Sequence, residues 1–100
     1  MSQNQNTTEL ENKVKAQKPK LYKVVLHNDD YTPMDFVVTV LVHIFKKNPT
    51  DAYRITMEVH HQKKGIAGVY SRDIAETKIT EAHAAARRNK FPLKCTMEPE

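Results

Sequence analysis

Apolar side chains are scarce at the start of the chain and then recur with two distinct periods. After Met1, the first 20 residues offer only Leu10, Val14 and Ala16, set among Gln, Asn, Thr, Glu and Lys. Such a segment buries too little apolar surface to offset its ordering entropy, so residues 1–20 are expected to form a disordered N-terminal extension. From Leu21 the pattern alternates. Tyr22, Val24 and Leu26 interleave with Lys23, Val25 and His27, which is the period of a strand over 21–27. The period then lengthens: Met34, Val37, Leu41 and Ile44-Phe45 recur at helical spacing, and Phe36, Val38 and Val40 widen the apolar surface beyond one stripe. A helix so broadly apolar must be covered on more than one side or line a pocket. Its start is marked by Thr32 as N-cap, Pro33 at the first helical position and Asp35 in the first turn.

Asn48-Pro49 closes this helix and opens a second, with Asp51 in its first turn and Ala52, Ile55-Thr56 and Val59 as its apolar stripe. Lys63-Lys64-Gly65 supplies a cationic, glycine-terminated end. Ile66–Tyr70 reads as a second strand. Ser71 caps a third helix whose inner face is Ala75, Ile79, Ala82 and Ala86, and small residues there imply close packing. Asn89-Lys90-Phe91-Pro92 stops it, and 93–97 forms a short last strand. The order is β-α-α-β-α-β. The expected fold is a small α+β domain over 21–100, a three-stranded antiparallel sheet with three helices on one face.

Length and charge narrow the function classes. One hundred residues make one domain at most, with one modest core and no deep interlobe cleft. The net charge of +4 permits contact with nucleic acid or an acidic protein. The cations are scattered, however, as Lys46-Lys47, Lys63-Lys64 and Arg87-Arg88, each pair near a helix C-terminus where it stabilises the dipole in any case. A basic RNA- or ribosome-associated domain is the alternative reading, and it predicts a single basic face with exposed aromatics. The single cysteine, Cys95, excludes an internal disulfide and reads as a small core residue of the last strand. No apolar run approaches the ~20 residues of a membrane span. The N-terminus lacks the apolar segment of a secretory signal, so a cytoplasmic protein is expected.

Catalytic and metal chemistry find little support. His60 and His61 are adjacent and point about 100° apart on a helix, so they cannot share one ion. Neither H-E-x-x-H nor C-x-x-C is present. No Gly-x-Ser-x-Gly elbow exists, and two glycines cannot build a phosphate-cradling loop. Asn28-Asp29-Asp30, at the strand-to-helix corner, is the one concentration of acids in an otherwise basic chain. It reads as a solvated corner, a carboxylate pair for acid–base work, or a receptor for a cation. Two helices joined by a tight turn run antiparallel, so His60, late on the second, returns toward the corner. Asn28, Asp30 and His60 then offer an amide oxygen, a carboxylate and an imidazole to one ammonium group. An apolar hollow between Met34, Val37, Thr56 and Val59 would lie beside them.

The run Val25-Leu26-His27-Asn28-Asp29-Asp30-Tyr31-Thr32-Pro33-Met34-Asp35-Phe36-Val37 resembles the signature of ClpS, the adaptor of the bacterial Clp protease. So do Val59-His60, Ile74-Ala75-Glu76-Thr77-Lys78 and Phe91-Pro92-Leu93, and the resemblance extends from about Lys20 to Met97. It implies a non-enzymatic adaptor, without cofactor, that binds N-degron proteins by a free α-amine and a large apolar first residue. It implies delivery of them to a ClpA-type or ClpC-type AAA+ unfoldase, by a monomer. On this resemblance Asn28, Asp30 and His60 hold the α-amine, with Asp29 adding negative charge. Leu26, His27, Thr32, Met34, Val37, Thr56, Val59 and Leu93 match positions of the side-chain pocket. Asp73, Glu76 and Lys78 match the unfoldase-docking face, and the polar extension matches a segment that helps transfer. Two positions depart from the family pattern: Thr56 stands where Met is usual, and His27 where Leu or Val is usual. Thr56 is expected to give a roomier or more polar entrance.

Overall fold

In a computed structural model, which describes residues 20–100, the alternating stretch becomes β1 (Leu21–His27). It is followed by α1 (Met34–His43), α2 (Pro49–Gln62), β2 (Lys64–Ser71), α3 (Arg72–Arg88) and β3 (Lys94–Pro99). The element order and the three-stranded antiparallel sheet are those expected; the expected disordered extension lies, Lys20 apart, outside the described residues. β1 is the central strand, with β2 and β3 antiparallel on either side.

The two faces of β1 have different fates. Val24 and Leu26 are fully buried and join Val37, Val40, Leu41, Ile55 and Val59 of the helices in one apolar core. Lys23, Val25 and His27 point the other way, because successive strand residues face opposite sides. On that uncovered side Val25 lies between Ile66 of β2 and Thr96 of β3. The β1–β2 register shifts between Val24 and Val25, where Val24 pairs with Gly68 but Val25 with Ile66. Ala67 is the extra residue of this bulge, and it is fully buried.

Three local expectations are corrected by the structure. Thr32 does not cap α1: Pro33 occupies the N-cap with extended backbone and no side-chain cap bond, so the helix starts at Met34. The helix also stops short, at His43. Ile44 and Phe45 close it by donating backbone N–H groups to Val40, and Lys46 turns left-handed at φ 56°. Phe45 is nonetheless buried, so it serves the core from a turn rather than from the helix. Gly65 does not terminate α2. Lys63, at φ 73°, takes the left-handed C-cap, and Gly65 lies within β2. There its missing side chain matters for packing, since a Cβ would sit 3.0 Å from Val59 Cγ2 and 3.3 Å from the Ile55 carbonyl. At the start of α2 the expected cap forms, with Asn48 Oδ1 accepting the Asp51 N–H at 2.8 Å.

Ala75, Ala82 and Ala86 are the buried face of α3, which lets the helix approach the sheet closely. Truncating the centre of this core should be severe. Leu26→Ala is expected to lower the unfolding free energy by about 2–5 kcal/mol, from lost transfer energy plus a residual cavity. Urea denaturation checks it: the midpoint should fall while the slope stays constant.

Candidate functional site

The corner is built by two sets of hydrogen bonds. As β1 ends, the Asn28 N–H donates to the Lys63 carbonyl at 2.8 Å, which ties the corner to the C-terminus of α2. His60 lies in the last turn of that helix, so one backbone bond brings Asn28 and His60 to the same end of the molecule. The carbonyl end of a helix carries partial negative charge, which adds to that of the acids around it.

Asp29 shapes the loop. Its Oδ1 accepts the N–H groups of Tyr31 and Thr32 at 2.8 and 2.7 Å, and its Oδ2 accepts the Thr32 hydroxyl at 2.7 Å. This explains why Thr32 does not cap α1: its hydroxyl is turned back onto Asp29. Partial burial alone would raise the Asp29 pKa, but the hydrogen bonds from the Thr32 side chain and the Thr32 and Tyr31 backbones outweigh it, and the net shift is downward. Asp29 thus contributes charge and loop geometry, while both its oxygens are occupied. Asn28, Asp30 and His60 are solvent-exposed, and no hydrogen bond among the described residues engages their side chains. The His60 ring rests edge-on against His61, with centroids 5.0 Å apart.

Beside the corner, Leu26, Val37, Val59 and Leu93 belong to one buried cluster contributed by β1, α1, α2 and the segment before β3. Met34 stands at its rim, 38% exposed, one helical turn before Val37. Thr56 is buried beside Ile55 and Val59 on the inner face of α2. Its hydroxyl donates to the Ala52 carbonyl of its own helix at 2.8 Å, so it presents a methyl group rather than a polar wall. His27 is not brought to this cluster. It lies on the opposite side of the sheet from Leu26, with Nε2 2.7 Å from Thr96 Oγ1.

The other predicted residues also separate. Asp73 and Glu76 line one outward hollow on α3 with Thr77, Thr80 and Glu81, and Glu76 accepts from Arg72 at 3.1 Å. Lys78 turns away from them. Its Nζ donates to the Ile44 carbonyl at 2.8 Å and lies 5.4 Å from the centre of the Tyr70 ring, linking α3 to the end of α1. Sequence reasoning named no positioning groups for Leu93, and the structure supplies two. Phe91 packs edge-on against Phe36 at 4.9 Å, and His83 Nε2 accepts the Cys95 N–H at 3.0 Å. An aromatic two residues before Leu93, opposite an aromatic on the flank of α1, was the available signal. Burial pushes the Cys95 thiol up to about 12, so it stays protonated at neutral pH and is a poor nucleophile. No group of three metal-ligating side chains occurs among the described residues.

A family model described as ATP-dependent Clp protease adaptor protein ClpS matches residues 17–96. The chain belongs to the ClpS family. The ATP-dependent Clp protease adapter protein ClpS of Myxococcus xanthus is 54% identical over 93 residues, 93% of this chain and 87% of that protein. The protein of the same name from Shewanella halifaxensis is 46% identical, over 98% of each chain. Among solved structures, Agrobacterium tumefaciens ClpS2 bound to L-phenylalaninamide is 46% identical and superposes with a TM-score of 0.80, covering 83% of this chain and all of that one. The β-α-α-β-α-β fold described above is therefore that of a ClpS protein.

The depressed Asp29 pKa has a thermodynamic consequence with a definite sign. The hydrogen bonds to its carboxylate stabilise the fold fully above the ordinary value of 3.8 and are lost as pH falls through the lower folded-state value. Asp29→Asn should flatten the acid limb of the stability profile below that pH and leave the slope above it unchanged. Urea midpoints at a series of pH values from about 2.5 to 6 measure this, and identical acid limbs would remove Asp29 from the loop's stability.

Proposed function

We propose that this ClpS-family adaptor recognises the free α-amine and large apolar first residue of N-degron proteins. On this reading it acts without catalysis and presents them to a ClpA-type or ClpC-type AAA+ unfoldase. The observation that carries the reading is the Asn28–Lys63 backbone bond, which sets Asn28 and Asp30 at the helix end that bears His60. Asp30 supplies the countercharge, Asn28 Oδ1 accepts one ammonium hydrogen, and a ring nitrogen of His60 accepts another. Asp29 holds the loop that aims Asp30 and adds to the negative field. The apolar cluster next to it, entered past Met34, takes the side chain. The ligand of the Agrobacterium structure has these two features, an α-ammonium and a benzyl group, and its amide stands in for the first peptide bond of a polypeptide. On the far side of α3, Asp73 and Glu76 form the acidic face offered to the unfoldase, while Lys78 holds that helix against α1.

An α-amine has a pKa near ~7.7–8 and is mostly charged at neutral pH. Acetylation removes the charge and a donor, and leaves the receiving groups unmatched, at about 1–3 kcal/mol. Peptides beginning with Phe should therefore bind at least about tenfold more weakly once acetylated. Fluorescence anisotropy with paired free and acetylated peptides decides it; equal affinities sink the amine clamp. Thr56 tunes the pocket by size. Filling its place with the longer side chain in Thr56→Met should lower binding of Ile-initiated peptides relative to Leu-initiated ones by several-fold, as lost volume excludes β-branching first. Competition titrations read the ratio, and an unchanged ratio would show that Thr56 does not shape the pocket.

A further inference from the structure

Beyond the stripe that faces the core, α2 carries a second row of large side chains. Tyr53, Met57 and His60 recur at i, i+4 and i+7, which sets them along one flank of the helix. Tyr53 and Met57, with Arg54, Glu58, His61 and Gln62, line a shallow hollow of about 440 Å³. Neither joins the core cluster or packs against it, and Tyr53 is 59% exposed. A single exposed aromatic is ordinary on a protein surface. Two large side chains one turn apart that share one hollow are not accounted for by the packing of the fold.

The charges at the rim of this hollow are matched to one another. Arg54 is paired with Glu58 at 2.7 Å and lies 4.0 Å from Asp51. What the hollow offers a ligand is therefore an aromatic ring and a thioether, a surface suited to apolar side chains.

His60 joins the hollow to the degron site. Its two neighbours one turn back are Thr56, buried on the inner face, and Met57, on the outer flank. Its ring rests against that of His61, with centroids 5.0 Å apart, and His61 lines the hollow. Leu26, Val37 and Val59 close the core behind the pocket. A polypeptide with its first side chain there and its α-amine at His60 must leave outward, past that histidine. From His60 back to Tyr53 the helix spans about 10 Å, the length of about three extended residues.

We infer that the hollow of Tyr53 and Met57 receives the second to fourth residues of a degron-bearing polypeptide and selects apolar side chains among them. The inference rests on the degron reading above and extends it. The first residue is held by charge and by its pocket, and those that follow by contact with the ring and the thioether. Tyr53 and Met57 are specificity-determining residues that a single amino acid amide does not reach.

The test uses the full chain and three probes: L-phenylalaninamide, and two peptides that begin Phe-Leu-Leu-Leu or Phe-Ser-Ser-Ser and end in one common soluble sequence. In the parent protein the leucine peptide should bind about fivefold tighter than the serine peptide. The ratio should hold as salt is raised, because the contact is uncharged. Tyr53→Ser and Met57→Ser should each bring the ratio toward one, and Met57→Leu should keep it, while none changes L-phenylalaninamide binding by calorimetry. Circular dichroism checks that each variant folds, and the exposed Tyr53 carries the test where a Met57 variant does not. A ratio near one in the parent protein, or a ratio indifferent to both positions, overturns the inference while the amide still binds. Variants that weaken the amide as much as the peptides place these residues in the first-residue pocket and overturn it too. Loss of amide binding in the parent protein overturns the degron reading and this inference with it. Sedimentation of the same samples adds one more outcome: a dimer dissolved by Tyr53→Ser assigns the hollow to a second copy and also overturns it.

Discussion

The bond from the Asn28 N–H to the Lys63 carbonyl is the constraint on which the site depends. It is a backbone interaction, so no single side chain reports it, yet it closes a loop that contains both first helices. Without it the acids would belong to a strand end and the histidine to a helix end, with no reason to meet. Its geometry is secured from both sides. Lys63 must be left-handed for α2 to end there, and the Gly65 notch lets β2 return against Ile55 and Val59 without a clash. On the other side, Asp29 locks the loop through Thr32 by accepting three hydrogen bonds. The exposed groups that do the proposed binding are thus held by neighbours with their polar atoms already matched. That is the arrangement preorganisation requires.

Much of this was legible in the chain because the signals were periodic. The alternation of 21–27 and the helical spacing of Ala52, Ile55 and Val59 fixed elements and faces together, and Asn48 capped α2 as its residue type suggests. The errors arose where two residues competed for one role. Thr32 is a sound N-cap by type, but Asp29, three residues earlier, offers its hydroxyl a charged acceptor, and the charge-assisted bond wins. Gly65 resembled a helix terminator until Lys63 took the left-handed position and freed it for close packing. The helix stop after His43 had no breaker to announce it, because Phe45 reaches the core as well from a turn.

The candidate site was legible in part for a similar reason. Spacing along two helices brought Asn28, Asp30 and His60 to one end, and that needed only the antiparallel hairpin. Separating Leu26 from His27 needed only strand alternation, yet adjacency in the motif concealed it. Lys78 shows the opposite limit. Its type and position on α3 suggested an exposed docking charge, but the unclosed carbonyl of Ile44 and the face of Tyr70 lie within reach of a lysine stem. Which lysine snorkels onto a neighbouring helix end is set by tertiary packing that no local window contains.

The central strand explains why the apolar cluster and the outer side of the sheet are distinct surfaces of one element. Leu26 and His27 are consecutive, yet one faces the apolar cluster and the other the opposite side of the sheet. The bulge at Ala67 pins the β1–β2 register at this level, since a slip of one residue would exchange the two faces entirely. Ile66 and Lys64 hence stay exposed on one side as firmly as Val24 and Leu26 stay buried on the other. The core that stabilises the fold is, through the alternation of one strand, what keeps the uncovered face fixed in its position beside the corner.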